Sequence, residues 1–388
     1  MTHYVGTARL EGKAWAITAP PHVVMRLKRV FPRIDTRQHG RIELRDSTEV
    51  CRELLWFSER YPLDIQPREH AERRGAEHKA LETSVLELMT GKTLPLVFDL
   101  VHPPREYQRV AADLALRTGG LLVADDVGLG KTCIAIACLT DPRARPSLVV
   151  TLTHLPRQWQ AQFAKFPPGL RTHVIKKGQV YAVPEADVYI ISYSKLTGWA
   201  DHLATVIRGV VYDEVQELRH QGTAKYTAAS HISEHAWFRL GLSATPVYNF
   251  GGEMWSVVEA LRPGVLGARE EFINEWCHSA YGDKPRVKDP RAFGIYLRDS
   301  GVMIRRTRAD VQRELPPLSK VPHTVHTDSK ALDAVQASVA ELARIILAQG
   351  VKGDAKRQAA GELDWRLRQA TGIAKAPHVA DFVRLLVD

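Results

Sequence analysis

The chain has 388 residues, 45% hydrophobic and 25% charged, enough for large apolar cores and two or three domains. Lys and Arg number 53 against 44 Asp and Glu, a formal charge of +9 that points to a polyanionic partner. No apolar run approaches the length of a membrane span, and Met1-Thr2-His3-Tyr4-Val5 lacks the basic-then-apolar start of a secretory signal. The expectation is therefore an intracellular protein, not a secreted one, with no membrane partner. The four cysteines, Cys51, Cys133, Cys138 and Cys277, show no C-x-x-C spacing, so a reduced protein without structural zinc is expected.

Residues 1–100 read as a separate α+β region. Ala14-Trp15-Ala16-Ile17 and Arg41-Ile42-Glu43-Leu44 alternate as strands do, and Thr48 to Tyr61 carries Val50, Leu54, Leu55 and Phe57 at helical spacing, with Thr48 as cap. Arg26, Lys28, Arg29, Arg33, Arg37, Arg41 and Arg45 outweigh Asp35 and Glu43. Two readings of that cluster stay open, a line of contacts to nucleic-acid phosphates and a solvated basic face. Arg68 to Leu88 reads as a charged, mostly exposed helix, and Pro95 with Pro103-Pro104 punctuates the passage to the next unit.

From 101 to 250 strands and helices alternate. Apolar runs at Leu121–Ala124, Leu148–Leu152, Val188–Ser192, Val210–Tyr212 and Leu240–Leu242 are separated by helical segments such as Pro156–Phe166 and Tyr193–Leu203. That pattern predicts an α/β fold, a parallel sheet with helices on both faces, whose ligands sit beyond the carboxyl ends of the strands. The first of these strands runs into Asp125-Asp126-Val127-Gly128-Leu129-Gly130-Lys131-Thr132 and then a helical run. Gly128 and Gly130 let the backbone approach phosphate oxygens, Lys131 can reach the β- and γ-phosphates, and the Thr132 hydroxyl can ligate Mg²⁺. Asp125 stands where the strict phosphate-loop pattern has its first glycine, and an ordinary strand–turn–helix corner is the alternative. Val210-Val211-Tyr212 leads into Asp213-Glu214, two carboxylates at a strand's carboxyl end, one able to hold a metal and the other to orient or deprotonate water.

Residues 251–328 read as a helical, basic region, with Lys284, Arg286, Lys288, Arg291 and Arg298; residues 329–388 read as helical throughout. Trp159 reads as a core anchor more readily than as a base-stacking platform. Arg305 and Arg306 are open between lobe-linking, DNA contact and helix capping.

Several stretches, in order, resemble the Swi/Snf-type DNA translocases of helicase superfamily two. The loop 125–132 is similar to that family's D-E-M-G-L-G-K-T, in which the first glycine is also absent. Arg105-Glu106-Tyr107-Gln108 resembles its adenine-reading motif, Pro156-Arg157-Gln158-Trp159-Gln160 and Ser192-Tyr193 resemble motifs Ia and Ib, and Asp213-Glu214-Val215-Gln216 resembles D-E-x-H with Gln216 for histidine. Leu242-Ser243-Ala244-Thr245-Pro246-Val247-Tyr248-Asn249 resembles the coupling motif. Met303-Ile304-Arg305-Arg306-Thr307-Arg308-Ala309-Asp310-Val311 to Leu315-Pro316-Pro317 resembles the L-R-R stretch.

The resemblance implies a RecA-like phosphate-loop NTPase lobe using ATP and Mg²⁺ and acting on duplex or branched DNA without sequence preference. Lys131 and Glu214 would be catalytic, Thr132 and Asp213 would hold the metal, and Gln108 with 125–132 would bind nucleotide. Gln216 would link to Ser243, Ala244 and Thr245 for coupling. It also implies that residues 251–328 form a helical protrusion of this lobe. Residues 329–388 would be a linker and the start of a second motor lobe, in the manner of the annealing-helicase branch, the rest of that lobe being supplied in cis or in trans. A non-hydrolysing, nucleotide-gated DNA-binding module and an RNA helicase of the same superfamily are the alternatives.

Overall fold

The computed structural model describes residues 4–35, 37–38, 40–166, 169–245, 251–278, 285–311, 322, 324, 330–348 and 353–387. Two compact units divide the chain, Met1–Leu315 and Pro316–Asp388.

The first unit begins with a four-stranded sheet in the order β3-β2-β1-β4, built from β1 (Gly6–Glu11), β2 (Ala14–Thr18), β3 (Ile42–Arg45) and β4 (Leu63–Gln66). Helices α1 (Pro21–Val30), α2 (Thr48–Arg60) and α3 (Arg68–Met89) accompany it. Trp15, Ile17, Leu27, Phe31, Leu44 and Leu54 form its core. The cap of α2 is Ser47, whose Oγ accepts from the Val50 N–H at 3.1 Å, so the expected cap Thr48 is instead the first helical residue.

The basic cluster of this region divides. Arg33 is buried and paired with Glu49 and Glu275 at 3.1 and 3.2 Å, Arg41 pairs with Glu11 and Glu43, and Arg45 pairs with Glu259 at 2.8 Å. Two of these pairs reach helices at 251–276, so those arginines hold the small sheet to the rest of the unit and are not a free phosphate-binding face.

The larger sheet has seven strands, all parallel: β5 (Gly120–Val123), β6 (Ser147–Thr151), β7 (Thr172–Val174), β8 (Val188–Ser192), β9 (Gly209–Asp213), β10 (Phe238–Leu242) and β11 (Met303–Ile304). Their order is β11-β5-β10-β9-β6-β8-β7. Side chains two apart share a face, so Leu122, Leu148, Val150, Val210 and Tyr212 enter one core, and Leu121, Val149, Val211, Leu240 and Leu242 the other. Both faces are therefore covered, as a parallel sheet requires. The predicted α/β class, parallel sheet and all five predicted strands in 101–250 are found; the two edge strands β7 and β11 are too short to leave an alternating pattern.

The helices of this layer are α4 (Glu106–Thr118), α5 (Lys131–Leu139), α6 (Pro156–Lys165), α7 (Ala200–Val206) and α8 (Ala224–His235). They are followed by α9 (Gly251–Leu261), α10 (Arg269–Trp276) and α11 (Pro290–Asp299). Met254, Trp255, Val257 and Val258 of α9 lie in the sheet's own core, so the start of the 251–328 region is part of the layer rather than a protrusion from it. Lys284, Pro246 to Asn249 and Leu315 to Pro317, singled out in the sequence, lie outside the described residues.

The second unit carries α12 (Lys330–Asp333), α13 (Gln336–Leu347) and α14 (Gly353–Val387), the last running through Pro377. Its described residues are mostly helical, as expected of 329–388. Among the described residues no helix is long and apolar enough to cross a membrane.

Candidate nucleotide site

Register sets the site. Leu242 of β10 pairs with Val123 of β5 on one side and with Asp213 of β9 on the other. Three loops therefore leave the sheet at one level, those beginning at Ala124, Ser243 and Glu214, and together they line the crevice where a parallel sheet binds ligands.

The loop after β5 turns at Gly128 (φ 88°) and Gly130 (φ 75°). The positive φ favours glycine at both, and a Cβ there would also meet the tip of a side chain, that of Arg308 at Gly128 and that of Gln108 at Gly130, which would have to move aside. Val127 is exposed and Leu129 buried, anchoring one side of the turn. Gly130 is the residue before α5, so Lys131 and Thr132 open that helix with its free N–H groups facing the crevice. Lys131 Nζ donates to the carbonyls of Asp125 at 2.7 Å and Asp126 at 3.2 Å. Burial pushes the lysine below its usual pKa, opposed by the carboxylates of Asp125, Glu214, Asp126 and Asp213.

Asp125, at the position of the absent glycine, is fully buried and held by Arg306 from the segment after β11. The guanidinium takes both carboxylate oxygens, the Arg306 N–H donates to Oδ1 at 3.0 Å, and the guanidinium also reaches the Tyr107 carbonyl and lies 4.9 Å from the Tyr107 ring centre. Arg308 Nε donates to the Val127 carbonyl at 3.1 Å, and its N–H to Asp126 Oδ2 at 3.3 Å. Edge strand β11 thus delivers two arginines onto the 125–132 loop. No spacing in the sequence signals this, because β11 lies far along the chain from β5. Arg305, in contrast, is exposed.

Gln108 is buried behind the loop. Its Oε1 accepts the Arg105 N–H at 2.9 Å, and its Nε2 donates to the Leu129 carbonyl at 3.0 Å, which also accepts from the Tyr107 hydroxyl at 3.0 Å. The expected adenine reader thereby ties the start of α4 to the phosphate loop.

At the end of β9, Asp213 Oδ2 accepts from Thr151 Oγ1 at 2.9 Å and from the Trp159 indole N–H at 2.8 Å. Trp159 is buried, as a core anchor would be, yet its polar edge fixes a site carboxylate. Tyr193 adds a bond from its hydroxyl to the Asp213 carbonyl at 3.0 Å, and burial drives that phenol's pKa well up. Glu214 has φ 52°, the one non-glycine residue with positive φ among the described residues. Such a left-handed backbone at a non-glycine residue is strained. Gln216 Nε2 lies 2.5 Å from Glu214 Oε2, while its Oε1 is buried without a hydrogen-bond partner. The expected link from Gln216 to Ser243 and Thr245 is not among the described bonds. Instead the Thr245 N–H donates to Ser243 Oγ at 3.0 Å, because the 243–245 turn closes on itself. Ser243 is buried, Ala244 half-buried and Thr245 exposed.

Gly130, Thr132, Trp159 and Asp213 border a cavity of 220 Å³. Its hydroxyl and carboxylate are hard oxygen donors of the kind Mg²⁺ prefers, so the residues present fit that ion.

A family model described as the SNF2-related domain matches residues 52–372. The chain is 27% identical over 298 residues to the DNA annealing helicase and endonuclease ZRANB3 of Mus musculus, covering 72% of this chain and 28% of that protein. It is 27% identical over 252 residues to the SWI/SNF-related matrix-associated actin-dependent regulator of chromatin subfamily A-like protein 1 of Xenopus tropicalis, covering 61% and 26%. An uncharacterized ATP-dependent helicase of Mycoplasma pneumoniae is 28% identical over 210 residues, covering 51% and 19%. The chain thus spans less than a third of the length of these curated relatives. The solved Sulfolobus solfataricus SWI2/SNF2 ATPase core in complex with dsDNA aligns at a TM-score of 0.49 and 24% identity, covering 71% of this chain and 60% of that one.

Proposed function

The chain belongs to the SNF2-related domain family, and from that premise we propose that it is the nucleotide-binding lobe of a Mg-ATP-dependent translocase ATPase acting on duplex or branched DNA without sequence preference. One observation carries the reading: neighbouring parallel strands bring Lys131 with Thr132, Ser243, and Asp213 with Glu214 to a single sheet edge. Lys131 and the loop amides hold the phosphates, and Thr132 with Asp213 holds Mg²⁺. When bound, that ion offsets charge on the transferred phosphoryl group. Glu214 orients or deprotonates the attacking water. Gln216, whose buried Oε1 has no partner, takes a donor from the 243–245 turn once nucleotide reshapes the crevice, coupling the site to DNA grip.

Thr153, Arg157 and Ser194 support the DNA part of the reading. All three are exposed just beyond the carboxyl ends of β6 and β8, Arg157 in the first turn of α6, and the hydroxyls of Thr153 and Ser194 lie 3.5 Å apart. Arg306 and Arg308 are engaged with Asp125 and the Val127 carbonyl, which supports a second lobe, in cis or in trans, as the source of the arginines that meet γ-phosphate charge. Losing such an arginine costs roughly 10³–10⁵ in rate, so this chain alone binds nucleotide and turns it over slowly.

The test is ATPase activity with duplex DNA, single-stranded DNA and RNA, with and without a second lobe, beside DNA affinity measured across salt. Duplex-stimulated turnover on adding the lobe, and affinity that falls steeply with salt, are expected. Brisk turnover by the chain alone removes the second-lobe part, stimulation by RNA alone favours an RNA helicase, and a completed protein that never hydrolyses is a nucleotide-gated binding module.

A further inference from the structure

When Arg33, Arg41 and Arg45 are accounted for by acids, another part of the N-terminal basic cluster is left. Arg26 and Arg29 on α1 face Trp56, Glu59 and Arg60 on α2 across a 450 Å³ cleft floored by Val30, Phe57 and Tyr61. Arg26, Arg29 and Arg60 are exposed, with no ion pair among the described residues, and Glu59 is the one acid lining the cleft. Trp56 is 61% exposed. Helical spacing explains how they meet, since Arg26 lies one turn from Arg29 and Trp56 one turn from Arg60. Behind them, the Phe57 and Tyr61 rings stack at 5.0 Å and 25°, giving the cleft a rigid apolar base.

A lone exposed indole needs no partner, but this one sits with three exposed arginines, unpaired among the described residues, so the cleft offers a flat aromatic face beside concentrated positive charge. A base with its flanking phosphates matches both features at once. A duplex offers such a rim only its phosphates, because its base faces are stacked inside. We propose that this cleft binds single-stranded DNA, with Trp56 stacking on one unpaired base and Arg26, Arg29 and Arg60 contacting the adjacent phosphates. The site lies between α1 and α2 of the N-terminal region and shares no residue with the cavity at the seven-stranded sheet, so it does not depend on the nucleotide reading. It would let the chain hold an unpaired strand while the larger sheet's loops engage duplex.

The probe is a labelled oligothymidylate of about fifteen nucleotides, titrated by fluorescence anisotropy with the whole chain. Trp56→Ala raises its Kd about tenfold, the loss expected for one stacked base. Arg29→Glu with Arg60→Glu raises Kd further and flattens its dependence on salt. Both variants keep the wild-type circular dichroism and melting temperature, because the altered side chains are exposed. They also keep wild-type affinity for Mg-ADP and for blunt duplex, which report on the other reading. Wild-type oligothymidylate affinity in both variants overturns the proposal. So does an equal loss of duplex and single-strand binding, which would make the patch a general phosphate surface. Displacement by polyglutamate, with Trp56→Ala leaving oligothymidylate binding unchanged, overturns it in favour of an acidic protein segment.

Discussion

Arg306 grips Asp125 through both carboxylate oxygens, Nη2 to Oδ2 at 2.5 Å and Nε to Oδ1 at 3.0 Å, and so joins the edge of the sheet to the first residue of the phosphate loop. Asp125 is also the residue whose carbonyl receives Lys131 Nζ. The pair therefore sets the loop that aims the lysine.

Arg306→Ala leaves a fully buried carboxylate without its cation, and removing one partner of such a pair costs about 3–5 kcal/mol. Arg306→Lys keeps the charge but not the planar fork, and recovers less than half of that. Urea denaturation beside Mg-ADP titration checks both, with stability and nucleotide affinity expected to fall together. Wild-type behaviour of the alanine variant would mean that the loop holds its shape without the clamp.

Trp159→Phe keeps an aromatic ring in the core but deletes the indole donor to Asp213, and Thr151→Val deletes the hydroxyl donor. Each change costs about 1 kcal/mol of stability. Each also raises the Mg²⁺ concentration needed for half-maximal ADP binding, because a less constrained carboxylate is a poorer ligand. Calorimetric titrations at graded Mg²⁺ read this out. An unchanged Mg²⁺ requirement in both variants would remove Asp213 from the metal site.

Lys131→Ala removes a charge-assisted contact to phosphate and is expected to abolish Mg-ATP binding. Glu214→Gln keeps the polar outline, spares affinity and removes the turnover seen once a second lobe is supplied. Calorimetry on both variants separates the two roles. Equal nucleotide affinity in wild type and Lys131→Ala would sink the phosphate-loop assignment.

Burial, with Glu49 beside it, pushes the Glu53 carboxyl up to about 7 against the opposing pull of Arg33 and Arg52. A carboxyl raised in the folded state binds more protons there than in the unfolded chain, so its contribution is full below the unfolded pKa near 4.5 and is lost as pH rises to about 7. Glu53→Gln, which cannot ionise, should gain stability over wild type as pH goes from about 5 to 8, on the order of 1–3 kcal/mol. Denaturation midpoints at the two pH values test the sign. A gap between the proteins that stays constant with pH would exclude Glu53 as the titrating group.

Much of this protein is legible in one dimension because its signals are local. A buried parallel strand is a short apolar run, and a glycine turn between strand and helix shows as two glycines between apolar stretches. The strand, turn and helix from Leu121 to Leu139 could therefore be read directly, and so could the place of Asp213-Glu214 at the end of its strand. What only the tertiary structure decided is which distant side chains stand behind those motifs. Trp159 and Thr151 reach Asp213 because β6 lies beside β9, and Arg306 reaches Asp125 because β11 pairs with β5. The arginines of residues 26–45 look alike along the chain. Folding divides them into Arg33 and Arg45, which pair with acids from 259–275, and Arg26 and Arg29, which face water beside Trp56. Composition counts charges, but a charge's role depends on which opposite charge the fold brings within hydrogen-bonding distance, and strand order sets that.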